Sequence, residues 1–236
     1  MHRVSLAMFI ITGALHLYAS WKDQAKQRAR TKPLLLGFLL LFYITAGSRL
    51  CVYLILALSA SWLGDILLIP RGNGWFTAGG VSFMFAHLFL ILVFSEGIIK
   101  ELVHWPLALL LALVYGGISA LIVRALCGTI PDKMKFPMYF YLLCNTAMNV
   151  FACMQMITLG KTGAAVSFIG AVLFFISDCT LFLVRYFKKP EIVFRKHFTV
   201  MLTYLAGEFL ITQGKIMLGR RLWPDRTGGY EIHFYH

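Results

Sequence analysis

Long apolar runs, separated by charges or by Gly and Pro, dominate the chain. They cover approximately residues 4–18, 33–46, 50–69, 76–95, 105–123, 136–159, 164–184 and 198–218. Most are close to the roughly 20 residues a helix needs to cross a bilayer core. They are also too long and too continuously apolar for barrel strands. Backbone N–H and C=O groups in lipid must be satisfied within the segment, which selects helices. The pattern therefore predicts an all-α, polytopic integral membrane bundle of about eight transmembrane helices. Residues 1–236 read as a single transmembrane domain, with a short basic C-terminal tail from about residue 220. The second run is short, which predicts a tilted or kinked span, or one extended through Gly47.

Composition leaves little room for another class. Hydrophobic residues make up 59% of the chain and charged residues only 14%, against about 25% charged in a soluble domain. So few charges cannot build a water-facing surface, and mean hydropathy is +0.76. Arg3 ahead of the first run resembles the start of a secretory signal. The residues before Trp21 make a poor cleavage site, however, and a basic segment follows, so the first run is expected to remain as a helix.

The net charge of +12 is explained by short loops beside the membrane, and no nucleic-acid partner is expected. Loops one, three, five and seven hold fourteen Lys and Arg, the other side with both termini eight. The positive-inside rule then places the odd loops in the cytoplasm and both termini outside. The basic tail opposes that assignment. In a bacterium the location would be the plasma (inner) membrane, with membrane lipids as immediate partners; the sequence sets no oligomeric state. Cys51, Cys127, Cys144, Cys153 and Cys179 lack paired spacing and read as small packing residues.

Ionisable residues inside the runs carry the chemical signal. A carboxylate in a span costs about 3 kcal/mol on insertion scales, and three acids bear that cost: Asp65, Asp178 and Glu208. His87 is also mid-span, and Asn145, Asn149 and Tyr204 add polar groups. Asp65 precedes Arg71 by six residues and Asp178 precedes Arg185 by seven, on runs that cross in the same direction. At about 1.5 Å per residue both carboxyls should lie roughly 10 Å inside one membrane face. The small residues before them, Gly64 and Ser177, would permit close helix approach. The two acids are therefore expected to converge on one cavity. The bland alternative, in which each acid bonds a neighbouring Ser, Asn or backbone group, weighs more for Glu208 and for His87.

Several sharper signatures are missing. There is no G-x-S-x-G elbow and no H-E-x-x-H. His16, His87 and His197 lack ligand spacing, so no metal and no cofactor are expected. An intramembrane aspartyl protease is disfavoured, because Trp62 stands two residues before Gly64 and no Tyr-Asp partner exists.

In order along the chain come Thr31-Lys32-Pro33-Leu34, Leu63-Gly64-Asp65-Ile66-Leu67-Leu68, Phe76-x-x-Gly79 and Phe83-x-x-x-His87. Val114-Tyr115, Gly170-Ala171-Val172-Leu173-Phe174-Phe175-Ile176-Ser177-Asp178 and Tyr204-Leu205-Ala206-Gly207-Glu208 follow. This succession resembles the YhhN-like lysoplasmalogenases, eight-span membrane enzymes, over nearly the whole chain. Glu208 departs from it, since many relatives have Gln nearby. The resemblance implies hydrolysis of the vinyl-ether bond of a lysoplasmalogen, a lysophospholipid. The products would be a fatty aldehyde and glycerophosphoethanolamine or glycerophosphocholine.

A pair of acids suits that chemistry. Cleavage begins with protonation of the β-carbon and passes through an oxocarbenium ion, as glycoside hydrolysis does. One carboxyl would deliver the proton, and the other would stabilise the cation or orient water. Asp65 and Asp178 are the expected catalytic residues. Lys32, at the basic end of the second run, is a candidate for the phosphate, with helix anchoring by snorkelling as its alternative. His87, Tyr115, Tyr204 and Glu208 are expected around the substrate. Two other classes stay open: a proton-coupled transporter using the same acids, and a scaffold or lipid sensor indifferent to them.

Overall fold

The computed structural model describes residues 1–47, 49–98 and 100–220; the expected basic tail, with Arg221 and Arg226, lies outside the described residues. Eight helices follow one another: α1 (His2–Trp21), α2 (Ala25–Ala46), α3 (Val52–Leu67), α4 (Asn73–Ser95), α5 (Trp105–Leu126), α6 (Asp132–Leu159), α7 (Thr162–Tyr186) and α8 (His197–Arg220). Short 3-10 turns at Lys100–Leu102 and Pro190–Ile192 interrupt two of the connections. Among the described residues there is no strand. The chain is an all-helical membrane bundle.

Six helices, α1, α2 and α4 to α7, are long and apolar enough to cross a membrane. The other two fall short for different reasons. The 16 residues of α3 reach about 24 Å, less than the ~30 Å hydrocarbon core. In α8 the length is ample, but Glu208, Gln213 and Lys215 lower its hydropathy.

The second span differs from its expected bounds in an instructive way. It is not lengthened through Gly47; it ends at Ala46 and begins at Ala25. Ala, Lys, Gln and Arg are strong helix formers, so the basic segment that precedes the apolar run is itself helical. Pro33 lies inside α2, and its carbonyl accepts a hydrogen bond from Trp62 Nε1 of α3 at 2.6 Å.

Lipid-facing and interior surfaces sort by side chain. Leu35, Leu39, Leu54, Leu58, Leu90, Met148 and Phe174 are fully buried, whereas Val4, Ile10, Leu109, Leu113 and Leu121 are exposed on the outer surface. The closest helix contact joins α7 and α8. A Cβ built on Gly170 would stand 2.7 Å from both Gly207 O and Ile211 N, and one on Gly207 would stand 2.9 Å from Gly170 O. These obstacles are backbone atoms of a neighbouring helix. One turn or more along, Gly163 meets Gly214 O at 2.7 Å in the same sense. The two helices therefore touch main chain to main chain, the arrangement small residues allow in membranes.

One end of the bundle is drawn together by α7 and α1. Arg185, in the last turn of α7, donates to Asn73 Oδ1 at 3.2 Å and lies 4.5 Å over the Phe76 ring, so it meets the start of α4. Trp21, at the end of α1, packs edge-on against Phe198 of α8 at 5.1 Å. At the opposite end Glu96 pairs with Lys215, while Gln155 Nε2 donates to Val93 O and Glu96 O at 3.1 and 2.9 Å.

The α7–α8 seam makes a direct prediction. Gly170→Ala should destabilise the protein by about 1–3 kcal/mol, the usual cost of overpacking. Gly116→Ala, where a Cβ would meet nothing within 4 Å, should be neutral or slightly stabilising. Thermal unfolding of both variants in detergent measures the difference.

Candidate active site at one end of the bundle

Asp65 lies in the last turn of α3 and is 1% exposed. Both of its carboxyl oxygens are engaged. Lys32 Nζ of α2 is 3.2 Å from Oδ1, and the Tyr204 hydroxyl of α8 donates to Oδ2 at 3.0 Å. Extension of α2 toward Ala25 gives Lys32 this position. Instead of snorkelling outward, its side chain turns inward and is only 15% exposed.

Asp178, two turns before the end of α7, is 4% exposed. Its Oδ2 accepts a hydrogen bond from Asn145 Nδ2 of α6 at 2.8 Å. Asn149, one turn further along α6, donates to Asn145 O and Oδ1 at 3.0 and 3.2 Å, holding that amide in place. His87 Nε2 of α4 is 3.1 Å from the same Asp178 oxygen, although not aligned as a hydrogen bond. Its imidazole is fully buried, 5.0 Å from the Tyr141 ring and 4.9 Å from that of Phe174.

The two acids share a small cavity of about 80 Å³, whose wall also includes Lys32, Phe83, Ser177, His197 and Tyr204. Gly64 matters here for its missing Cβ, which would stand 2.7 Å from the Phe83 ring. Ser177 does more than permit close approach, because its hydroxyl donates to Val200 O of α8 at 3.0 Å. Tyr204 is set edge-on to Phe83 and Phe174, at 5.7 and 5.5 Å.

A second cavity, of about 320 Å³, lies between α4, α6 and α7. Phe76, Met84, Met134, Met138, Tyr141 and Phe182 are among its lining residues. Val81, Phe136 and Phe140 form an exposed rim, so the groove lies on the lipid-facing surface. Tyr141 separates it from His87 and Asp178 by a single side chain.

Not every sequence candidate meets at this place. Tyr115 of α5 packs edge-on against Phe175 at 5.0 Å and lines neither cavity. Glu208 is fully buried one turn below Tyr204. Neither of its oxygens has a hydrogen-bond partner among the described residues, with Ser61 as a polar neighbour. Asn145 was visible in the sequence as a polar group without a role, and His197 only as an unpaired histidine. No group of three or more His, Cys, Asp or Glu side chains converges among the described residues.

At the surface beside the cavity, the α1–α2 turn carries Asp23 in a left-handed conformation (φ 53°). Arg28 donates to its carboxylate at 2.6 Å, and this bond holds the Asp23 carboxyl below its ordinary range.

Fold and site together define a polytopic helical membrane protein with two buried carboxyls on one cavity at one end of the bundle. The chain belongs to the YhhN family, whose model matches residues 27–215. That span includes every residue of both acid clusters. No curated protein and no solved structure matches the chain.

The Lys32–Asp65 pair gives a test of stability. Lys32→Met should cost about 3–5 kcal/mol, because it strands a buried charge. Adding Asp65→Asn should recover much of that loss. A double-mutant cycle of unfolding in detergent reads the coupling.

Proposed function

We propose that this protein is a membrane hydrolase that cleaves the vinyl-ether bond of lysoplasmalogens. The observation that carries the reading is the meeting of Asp65 and Asp178 on one cavity beside a lipid-facing apolar groove. A single-chain amphiphile suits that combination. Its alkenyl chain would lie along Met84, Met138 and Phe182, and its ether oxygen would reach the acids.

The partners of each acid suggest a division of labour. Asp65, with one oxygen on the Lys32 ammonium and the other on Tyr204, serves as the fixed counter-charge to the oxocarbenium ion. Asp178, beside His87 and Asn145, delivers the proton. Its O–H bond breaks as the vinyl π electrons form a new C–H bond at the β-carbon, leaving the oxocarbenium ion. Water attacks the α-carbon and returns a proton to Asp178, giving a hemiacetal. Collapse of the hemiacetal breaks the C–O bond, with a proton passing to the departing glycerol oxygen. One water is consumed, and the fatty aldehyde and glycerophospho head group are released. His87 acts as a positioning residue for the Asp178 carboxyl. General acid–base assistance of this type contributes about 10²–10⁴-fold.

Proton-coupled transport is the second reading. Tyr204, Glu208 and Thr212 recur every four residues on α8, and all three are buried, a polar stripe that favours it. Product analysis by mass spectrometry separates the two. Purified protein incubated with a lysoplasmalogen should release fatty aldehyde, and Asp65→Asn or Asp178→Asn should lower the rate at least about 100-fold. Aldehyde from both variants at the wild-type rate would remove the acid pair from the mechanism. No aldehyde from folded wild type, across several head groups, would move the assignment to transport.

A further inference from the structure

Basic side chains gather where the small cavity meets the membrane face. His197 is the first residue of α8, is exposed, and lines the cavity together with Lys32, Asp65 and Asp178. Arg28 lies one turn before Lys32 on the same face of α2, since residues four apart are neighbours on a helix. Charges on Arg28, Lys32 and Lys196 all act on His197, and those on Arg28, Lys32 and His197 all act on the buried His16. His16 Nδ1 lies 2.7 Å from Thr31 Oγ1 of α2, and the Trp21–Phe198 and Arg195–Trp21 contacts bring the start of α8 against the end of α1. These residues thus form one cluster drawn from α1, α2 and the entry to α8.

The acids in the cluster leave much of its donor capacity unused. Asp23 takes a single hydrogen bond from Arg28, whereas a guanidinium has five N–H donors. Asp23 itself is 82% exposed, so water competes for it and the pair is weak. Lys32 is committed to Asp65. Arg28, one turn before Lys32, and His197, in the cavity wall, are left with donors to spare.

We infer that Arg28 and His197 form a subsite for the phosphodiester of a lysophospholipid head group, immediately outside the Asp65–Asp178 cavity. The inference rests on the hydrolase reading and moves the phosphate contact from Lys32 to these two residues. A guanidinium binds a phosphate through two parallel N–H···O bonds, and Arg28 has the free N–H groups for it. The imidazole of His197, in the cavity wall, adds a third donor. With the phosphate there, the glycerol backbone points inward and the vinyl ether follows it to the acids. Single-chain lipids without a phosphate lose this anchor.

Binding measurements test the subsite apart from catalysis. The probe is a saturated 1-O-alkyl lysophosphatidylcholine, which has no vinyl group to protonate, compared with the matching 1-O-alkylglycerol. Arg28→Gln and His197→Gln should each weaken the lysophospholipid about tenfold, as expected for loss of one charge-assisted bond, and leave the alkylglycerol unchanged. Arg30→Gln, an exposed charge on the same helix, should alter neither. Equal binding of the lysophospholipid to wild type and both variants would overturn the inference. So would an equal loss for both probes, or a loss in Arg30→Gln as large as in Arg28→Gln. Inorganic phosphate should compete only weakly; tight phosphate binding without discrimination between the two lipids would assign the subsite to free phosphate and overturn the head-group claim. If the expected binding pattern holds while wild type releases no aldehyde, the hydrolase reading fails and the subsite stands.

Discussion

A carboxylate brought into a helical bundle within hydrocarbon loses several kcal/mol of hydration, and an opposite charge at hydrogen-bond distance is one of few ways to offset it. Lys32 supplies that charge to Asp65 at 3.2 Å. Much of this end of the molecule follows from the requirement. The helix that carries Lys32 must continue past the apolar run, so α2 starts at Ala25. It must also lie against α3, which the Trp62–Pro33 hydrogen bond secures. Among the described residues Asp178 has no Lys or Arg within such reach; a hydrogen-bonded amide and an imidazole hold it instead. Two acids of one residue type thus occupy unlike surroundings, and the proposed division of roles rests on that difference.

The distance between those surroundings is fixed by backbone contact. Gly163, Gly170, Gly207 and Gly214 bring the main chains of α7 and α8 together. Asp178 continues from this seam on α7, and Tyr204 lies beyond it on α8. A rotation that replaced these glycines by neighbouring residues would press a Cβ into the facing main chain. Under the proposed function, such a contact would help the two acids hold their spacing through each change of charge.

The helical class and the acid pair were legible in the sequence because both are one-dimensional signals. Apolar run length reports spans, and an acid within such a run is conspicuous. The expected convergence of Asp65 and Asp178 came from counting residues to Arg71 and Arg185, and both acids line one cavity. The direction of a side chain was not legible. Lys32 has the same helix-end position whether it turns in or snorkels out, and only the place of α3 decides. Tyr115 sits in a motif of the resemblance, yet α5 lies at the edge of the bundle and carries it to Phe175. Asn145 and His197 depended on which helices become neighbours, which periodicity does not encode. The start of α2 was missed because the apolar run marks where lipid begins, while the helix obeys propensity beyond it.

The apolar groove between α4, α6 and α7 is open along its Val81, Phe136 and Phe140 rim to the surrounding bilayer. Under the proposed function, a single-chain lipid would slide into it sideways without passing through water. Its supply to the acids would then depend on its mole fraction in the plane of the membrane, and bulk molarity would be the wrong measure of dose. Diluting such a lipid with inert bilayer at constant total concentration would slow its arrival, as if the solvent of the reaction were the membrane itself.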